Sequence, residues 1–111
     1  MKIIRVEATT HNVAVPVPLL DAPVMRPLVF CAVETDEGIT GYGISGPIQR
    51  HAVRELLNRE IAPRVIGADP FETERIWQDL YIELNPRSQT GAWSSAVSAL
   101  DIALWDIKGK A

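Results

Sequence analysis

The carboxyl-terminal stretch, residues 94–111, constrains the fold more than any other part of the chain. Its apolar residues recur at helical spacing and also extend beyond a single stripe. The residues at this spacing are Ala96, Ala99, Leu100, Ala103, Leu104 and Ile107, and the additional apolar residues are Val97, Ile102 and Trp105. Such a helix is expected to be buried on most sides, with its alanines allowing close backbone approach. Gly109 predicts a left-handed stop at its end.

Composition limits what can surround this helix. With 111 residues, of which 47% are hydrophobic, the chain can form one domain with one core. A net charge of -3 and scattered basic residues argue against nucleic acid and against an acidic membrane surface as partners. The first residues lack the apolar run of a signal peptide and no window could span a bilayer, so a cytoplasmic location is expected. Cys31, the only cysteine, is expected to be a small core residue on a strand.

The first half of the chain begins with a predicted strand over residues 2–15. Ile4, Val6 and Ala8 are expected on its buried face, with polar residues on the other. Prolines and an aspartate in residues 16–27 then predict a loop. This loop is unusually apolar, because it contains Leu19, Leu20, Val24 and Met25.

Two further strands are predicted over residues 28–35 and 39–44. Asp36, Glu37 and Gly38 lie between them and supply a tight turn, with the glycine at a left-handed position. The two strands therefore form a predicted hairpin. Together with the first strand they give a three-stranded antiparallel meander.

Three helices are predicted to follow the meander. Apolar spacing predicts the first over residues 47–61, and Pro63 should end it. Asp69 as N-cap, with Pro70 and Glu72 after it, is typical of a second helix start. The buried face of that helix is expected to comprise Ile76, Trp77, Leu80, Tyr81 and Leu84.

Residues 85–91 are expected to form a loop before the last helix. Strands followed by helices are typical of the α+β class, with a three-helix bundle packed on one face of the sheet. The sequence therefore predicts a single two-layer domain over residues 1–111.

A glycine motif in residues 41–46 matches G-x-G-x-x-G and suggests dinucleotide binding. The context argues against that function, because the preceding strand is short and Pro47 stands where the motif needs a helical backbone donor. The alternative is that these glycines allow close packing on a strand and a turn into the first helix.

Few other residues suggest chemistry. Asp101 and Asp106 lie about 140° apart on a helix and cannot share a ligand. A structural role is favoured for both, with Asp106 paired to Lys110 and Asp101 hydrogen-bonded to a neighbouring element. His11 and His51 each stand alone, outside any metal-binding spacing.

The last helix also carries a family resemblance. Its pattern resembles the N-terminal signature of the mandelate racemase and muconate lactonizing enzyme group of the enolase superfamily, on Ala96, Ser98, Ala99, Leu100, Asp101, Ala103, Leu104, Asp106, Ile107, Gly109 and Lys110. The resemblance implies an N-terminal capping domain, with a sheet and a helical bundle preceding a (β/α)8 barrel. That barrel is absent from this chain, which therefore resembles a fragment of a longer enzyme.

The resemblance implies that the parent enzyme abstracts the proton α to a carboxylate. Acid-sugar dehydration, racemisation and cycloisomerisation are the implied reactions, with Mg²⁺ bound by the barrel and none by this chain. No catalytic residue is implied here, and the chain alone is expected to be inactive. The implied substrate-contacting loops are residues 16–26 and 45–51, with Leu20, Met25, Arg26, Gly46, Pro47 and Arg50 as site residues.

Two questions stay open at the level of sequence. The apolar loop residues could cover a substrate or could pack against the domain's own helices. The chain could also be a free-standing protein-interaction module instead of part of an enzyme. In either case the apolar surface of residues 94–111 predicts a partner, either the implied barrel or another copy in a homo-oligomer.

Overall fold

The computed structural model describes residues 1–84 and 91–111 and confirms the predicted α+β class. β1 (Ile3–Val15), β2 (Val24–Thr35) and β3 (Thr40–Ser45) form one antiparallel sheet in that order. The helical layer consists of α1 (Arg50–Glu55), a π-helical turn (Leu56–Ile61), α2 (Ala62–Val65), α3 (Thr73–Leu84) and α4 (Gly91–Lys110). Because α1, the π-helical turn and α2 are continuous, the described helices form three bodies, as predicted. The predicted loop over residues 85–91 lies outside the described residues except at Gly91, which belongs to α4.

β2 begins earlier than the sequence predicts. Residues 24–27, expected in a loop, pair with β1, and Pro27 is opposite Asn12. Proline is tolerated here because β3 ends opposite Val29, so Pro27 lies beyond the reach of β3 and needs no N–H for it. Two of the predicted loop residues, Met25 and Arg26, are therefore strand residues.

The buried face of β1 starts at Ile3 and not at Ile4. Ile3 and Arg5 are opposite consecutive residues of β2, so Ile4 is an extra residue that forms a bulge. The bulge leaves Ile4 54% exposed and turns Ile3 into the core, whereas Val6 and Ala8 are buried as predicted. Simple alternation gives the wrong face here because it assumes uninterrupted pairing.

The first helical body starts and ends later than predicted. Residues 47–49 form a turn, and the helix covers residues 50–65. It continues through Pro63 because the turn before it is π-helical: the Ala62 N–H bonds to the carbonyl of Leu57, five residues back. The wider turn relieves the clash between a proline ring and the carbonyl four residues earlier that normally ends an α-helix.

The predicted start signal at Asp69 forms a separate turn before α3. Asp69 Oδ1 accepts a hydrogen bond from the N–H of Phe71 at 2.9 Å, and its carbonyl accepts one from Glu72 at 3.1 Å. The helix then begins at Thr73. Placing Pro70 at the first helical position is therefore wrong, because the aspartate satisfies the turn instead of the helix end.

α4 supplies the centre of the core, as predicted. Its buried residues are Trp93, Ala96, Val97, Ala99, Leu100, Ala103, Leu104 and Ile107. β3 packs closely on α4. A Cβ added to Gly41 would lie 2.1 Å from the Ala103 carbonyl oxygen, and one added to Gly43 would lie 1.8 Å from the Ala99 carbonyl oxygen. Glycine on the strand and alanine on the helix together allow this contact. The predicted left-handed stop at Gly109 is wrong, since the helix continues through it.

Some apolar residues of the helical layer stay exposed. Trp77, predicted to be buried, is 46% exposed and stacks on Tyr81 with 5.4 Å between ring centroids. Ile102 and Trp105 of α4 are 48% and 57% exposed. α4 is therefore buried on most sides, as expected, and these two residues are apolar surface that the domain leaves exposed.

Main-chain and side-chain groups close the β1 edge of the sheet. Asn58 in the π-helical turn accepts a hydrogen bond from the Ala8 N–H at 2.7 Å and donates one to the Ala8 carbonyl at 3.0 Å. Further along, Ile3 donates to the carbonyl of Ala68 at 2.9 Å and accepts from the N–H of Gly67 at 2.8 Å. These backbone N–H and C=O groups, which could otherwise pair with another strand, are therefore hydrogen-bonded within the domain.

Two residues of α4 act in the same way on the β3 edge. Asp106 accepts a hydrogen bond from the Tyr42 N–H at 2.9 Å, and Lys110 donates one to the Thr40 carbonyl at 2.8 Å. The predicted ion pair between Asp106 and Lys110 is present at 2.9 Å. The pair therefore holds the strand edge as well as the helix end.

Candidate functional site

Two loops leave the sheet at the same end. β1 ends there, β2 begins there and β3 ends there, so residues 16–23 and 46–49 are both located at this loop end. Gln49 lies beside the start of α4, since a Cβ on Gly91 would be 4.0 Å from Gln49 Oε1. The six site residues predicted from the resemblance all lie at the loop end: Leu20, Met25, Arg26, Gly46, Pro47 and Arg50.

The β1–β2 hairpin projects beyond the helical layer as an arm. We define the hairpin arm as residues 11–28, starting where β2 passes the end of β3. Every residue of the arm is exposed or half-buried, whereas Val29, the next residue of β2, is fully buried. Leu19, Leu20 and Met25 are 103%, 57% and 56% exposed. The alternative in which these apolar residues pack against the domain's own helices is therefore wrong for all three.

Each loop contains one non-glycine residue in the left-handed region of backbone space. Leu19 has a φ of 72°, and Gln49 has a φ of 58°. For a residue with a side chain this conformation costs about 1–2 kcal/mol. At Leu19 the tight turn closes with a hydrogen bond from the N–H of Leu20 to the carbonyl of Val17 at 3.3 Å. The turn holds the Leu19 side chain in solvent, where it makes no contribution to the core.

The two arginines at the loop end have different surroundings. Arg26 is exposed on the arm, opposite Val13 of β1, and its position alternates with the buried residues of β2. It therefore lies on the sheet face that points away from the helices. Arg50 is half-buried, and its Nη1 donates to the carbonyl of Pro47 at 3.5 Å. The loop end thus carries two guanidinium groups from separate segments, one exposed on the arm and one half-buried against its own loop.

The glycine motif has no room for a phosphate. The backbone of α4 fills the space beside Gly41 and Gly43, where a Cβ added to either residue would lie 2.1 Å or 1.8 Å from a helix carbonyl oxygen. A Cβ added to Gly46 would have no atom within 4 Å, so close packing does not require glycine at this position. The close-packing interpretation is therefore confirmed for the first two glycines, and dinucleotide binding at this motif is excluded by geometry.

Asp101 and Asp106 lie in different surroundings and do not form a carboxylate pair. Hydrogen bonds from Lys110 and then from the Tyr42 N–H lower the pKa of Asp106. Partial desolvation between α3 and α4 raises the pKa of Asp101, and the charge of Lys108 acts in the opposite direction. The hydrogen bond predicted from Asp101 to a neighbouring element is not found in the described part of the chain.

Other titratable residues do not converge. Within residues 1–84 and 91–111, no three His, Cys, Asp or Glu side chains are grouped to hold a metal ion. His11 is exposed and lies 2.7 Å from the Thr9 hydroxyl, and His51 is exposed on α1. Cys31 is fully buried on β2, as predicted, and burial raises the pKa of its thiol to about 12. In the same residues, no helix combines the length and apolarity needed to cross a membrane.

Sequence reasoning missed Asn58. It stands between the buried Leu57 and the exposed Arg59 in an otherwise helical pattern. Its two hydrogen bonds to Ala8 are made from the π-helical turn, and no sequence pattern predicts that turn. A polar residue next to a core position of the predicted helix was the only available signal, and many surface residues share it.

The fold and the loop end define a two-layer α+β domain that presents two loops, and its described residues contain no group of His, Cys, Asp or Glu side chains that could hold a metal ion. A family profile described as "Mandelate racemase / muconate lactonizing enzyme, N-terminal domain" matches residues 4–111. The chain therefore belongs to this family, as the resemblance of its last helix predicts.

Curated relatives of the chain are enzymes. It is 32% identical over 111 residues to the 3,6-anhydro-alpha-L-galactonate cycloisomerase of Streptomyces coelicolor, covering 95% of this chain and 31% of that protein. It is 45% identical over 84 residues to the D-galactonate dehydratase of Xanthomonas axonopodis pv. citri, covering 75% of this chain and 22% of that protein. The homologues therefore include acid-sugar cycloisomerases and dehydratases.

Solved structures show the same architecture. A racemase from Streptomyces coelicolor A3(2) with bound magnesium matches with a TM-score of 0.80 and 31% identity, over 96% of this chain and 32% of that one. The chain thus spans less than a third of the length of each of these three proteins. It corresponds to their N-terminal domain.

Proposed function

We propose that this chain is the capping domain of an enzyme that abstracts the proton α to the carboxylate of an acid sugar. The domain's task is to close over the active site of a (β/α)8 barrel in the same polypeptide, to exclude water and to shape the substrate pocket. Dehydration or cycloisomerisation is the reaction class, because the curated relatives catalyse these reactions. Assembly of the parent into a homo-oligomer is part of the proposal.

The exposure of the hairpin tip is the observation that supports this function best. Leu19, Leu20 and Met25 are exposed although an isolated domain has no use for apolar side chains there. The second loop, with Gly46 and Pro47, leaves the sheet at the same end. The first loop lies at the tip of the hairpin arm and the second at its root, at the same end of the sheet, so both could reach a single pocket mouth.

The proposed residues divide into two roles. Leu20, Met25 and Pro47 provide apolar surface that covers the substrate, and Gly46 lets the second loop approach it without a side chain. Arg26 and Arg50 provide guanidinium groups that bind the far end of the substrate, because a planar fork of donors suits carboxylate and hydroxyl oxygens. None of these residues performs the chemistry.

The described residues of this chain do not fit a magnesium site, since no cluster of acidic ligands is present among them. Mg²⁺ is therefore proposed to be bound by the barrel, where it would stabilise the negative charge that develops when the proton leaves. The free-standing interaction module is not favoured as an alternative, because the curated relatives are enzymes.

Replacement of either arginine in the full-length enzyme tests the function. For Arg26→Ala, kcat/KM for a sugar diacid should fall. The loss should correspond to about 1.5–3 kcal/mol of transition-state stabilisation, the usual contribution of a charge-assisted hydrogen bond. The loss should be much smaller for the matching monoacid, which lacks the distal carboxylate. Arg50→Ala should show the same substrate dependence. Steady-state kinetics on both substrates measures these effects.

Arg75→Ala is a matched control, because Arg75 is 73% exposed on α3, away from the loop end. It should leave both substrates unaffected. Equal losses on diacid and monoacid, or no loss for either loop-end arginine, would show that these arginines do not recognise the substrate and would return specificity to the barrel.

A further inference from the structure

The side chain of Asn58 joins the helical layer to the backbone of β1. Its Oδ1 accepts from the Ala8 N–H at 2.7 Å, and its Nδ2 donates to the Ala8 carbonyl at 3.0 Å. One amide group thus satisfies both backbone groups of one edge residue, as a neighbouring strand would. This fixes the position and the direction of the strand at that point.

The π-helical turn is what allows this contact. Leu57 and Ile61 are both fully buried under the sheet, and Asn58 follows the first of them. The Ala62 N–H bonds five residues back to Leu57, so this turn holds one residue more than an α-helical turn. π-Helical turns are rare and frequently coincide with functional positions. The local geometry therefore joins the core contact of Leu57 to the edge contact of Asn58.

Ala8 lies at the root of the hairpin arm. Ala8 is the last buried residue of β1, and from residue 11 outward the arm has no buried residue on either strand. A two-stranded ribbon without a covered face has little stability of its own, and its direction depends on its root. Asn58 also follows the second loop in the chain, since α1 connects residues 46–49 to the π-helical turn.

We propose that Asn58 is a positioning residue that sets the direction in which the hairpin arm leaves the helical layer. It does not touch substrate. Its consequence for catalysis rests on the proposed function, because the arm carries Leu20, Met25 and Arg26. The direction of the arm itself can be tested without any activity.

Distance measurement between two spin labels tests the proposal on this chain. Asp21→Cys on the arm and Gln78→Cys on α3 are exposed labelling sites, and the native Cys31 is fully buried. In Asn58→Leu, which has a similar size but no hydrogen bonds, the distribution of label distances should broaden about twofold. The Ala8 amide should also exchange its hydrogen about tenfold faster.

Arg59→Gln is the matched control. It removes the 2.7 Å ion pair of the exposed Arg59 with Glu55, next to Asn58 in the chain, without touching β1, and it should leave the distance distribution unchanged. If Asn58→Leu fails to fold, Asn58→Asp keeps an acceptor for the Ala8 N–H but replaces the donor with a carboxylate oxygen that repels the Ala8 carbonyl. It should also broaden the distribution.

A distribution as narrow as in the wild type, in a folded Asn58 variant, would overturn the proposal even if the melting temperature falls. Kinetics of the full-length enzyme separates this result from the proposed function. Asn58→Leu should raise KM more than it lowers kcat, because the arm still binds but is held less well. A broadened distribution with unchanged KM would leave Asn58 as the positioning residue and count against the capping function instead.

Discussion

The inner and outer halves of the β1–β2 hairpin share one ladder but differ completely in burial. Pairing continues without a register shift from Arg5 to Val15. In the inner half, Val29, Cys31 and Val33 are fully buried under the helices, whereas no residue of the hairpin arm is buried. One continuous ladder therefore contributes to the core in one half and forms an exposed arm in the other.

This difference shows that strand formation and burial are separate outcomes. Hydrogen bonding between β1 and β2 is enough to continue the ladder outward, but only the inner half lies opposite α4 and the π-helical turn. The apolar residues of the arm are available for contact with another surface, which is the basis of the proposed function. Three stability experiments, with five substitutions in all, can break or sharpen the comparison.

Gly43→Val should have the largest effect, because it attacks the contact that makes the inner half a core. The new Cβ would lie 1.8 Å from the Ala99 carbonyl oxygen. This oxygen belongs to the helix backbone, which cannot rotate away as a side chain can. We expect a loss of at least about 4 kcal/mol in unfolding free energy, or no folded protein. Urea denaturation followed by circular dichroism measures it.

Gly46→Ala is the control for Gly43→Val, since nothing lies within 4 Å of the Cβ it adds. Its stability should change by no more than about 0.5 kcal/mol. Similar losses for both variants would mean that glycine is needed for backbone freedom rather than for close packing on α4.

A matched pair of leucines compares the two halves directly. Leu104 on α4 is 1% exposed, and Leu20 in the arm is 57% exposed. Leu104→Ala should cost about 2–5 kcal/mol because it leaves a cavity in the core. Leu20→Ala should change stability by less than about 0.5 kcal/mol. Thermal or urea unfolding of both variants tests this, and a large loss at Leu20 would show that the arm packs on its own domain.

The pH dependence of the β3 edge should give the smallest effect. Lys110 and the Tyr42 N–H lower the pKa of Asp106 in the folded state. The ionised carboxylate therefore stabilises the fold at pH values above its unfolded pKa of about 3.9. That contribution is lost as pH falls through the lower folded pKa. The difference in melting temperature between the wild type and Asp106→Asn should therefore shrink below about pH 4. A constant difference from neutral pH down to about pH 2 would contradict the assignment.

Several features of the fold could be predicted because their signals are local. The spacing of apolar residues in α4 predicted its buried side, and the Asp-Glu-Gly turn predicted the hairpin of β2 and β3. Pro47 after the glycine motif was enough to argue against a nucleotide site. The signature on α4 predicted the family, because it combines the alanines of a tight contact with the Asp106 and Lys110 pair that holds the β3 edge.

Other features were missed because they depend on pairs of residues far apart in the chain. The bulge at Ile4 is defined by its partner strand, and the start of β2 depends on where β3 ends. From local sequence alone, Pro63 is expected to end an α-helix. Packing of Leu57 and Ile61 under the sheet instead favours a π-helical turn that accommodates the proline. Local propensity is a weak term when burial of large side chains opposes it.

The amino-acid order alone thus specifies which segments are strands and helices and which face of α4 is apolar, since periodicity and turn chemistry act over a few residues. Packing in three dimensions decides the rest: where the helices end over the sheet, and so which apolar residues become core and which stand on an arm. The six site residues illustrate this limit. The family resemblance implied their contact with a substrate, but their location at one end of the sheet follows from strand pairing and loop direction, which are properties of the assembled layers.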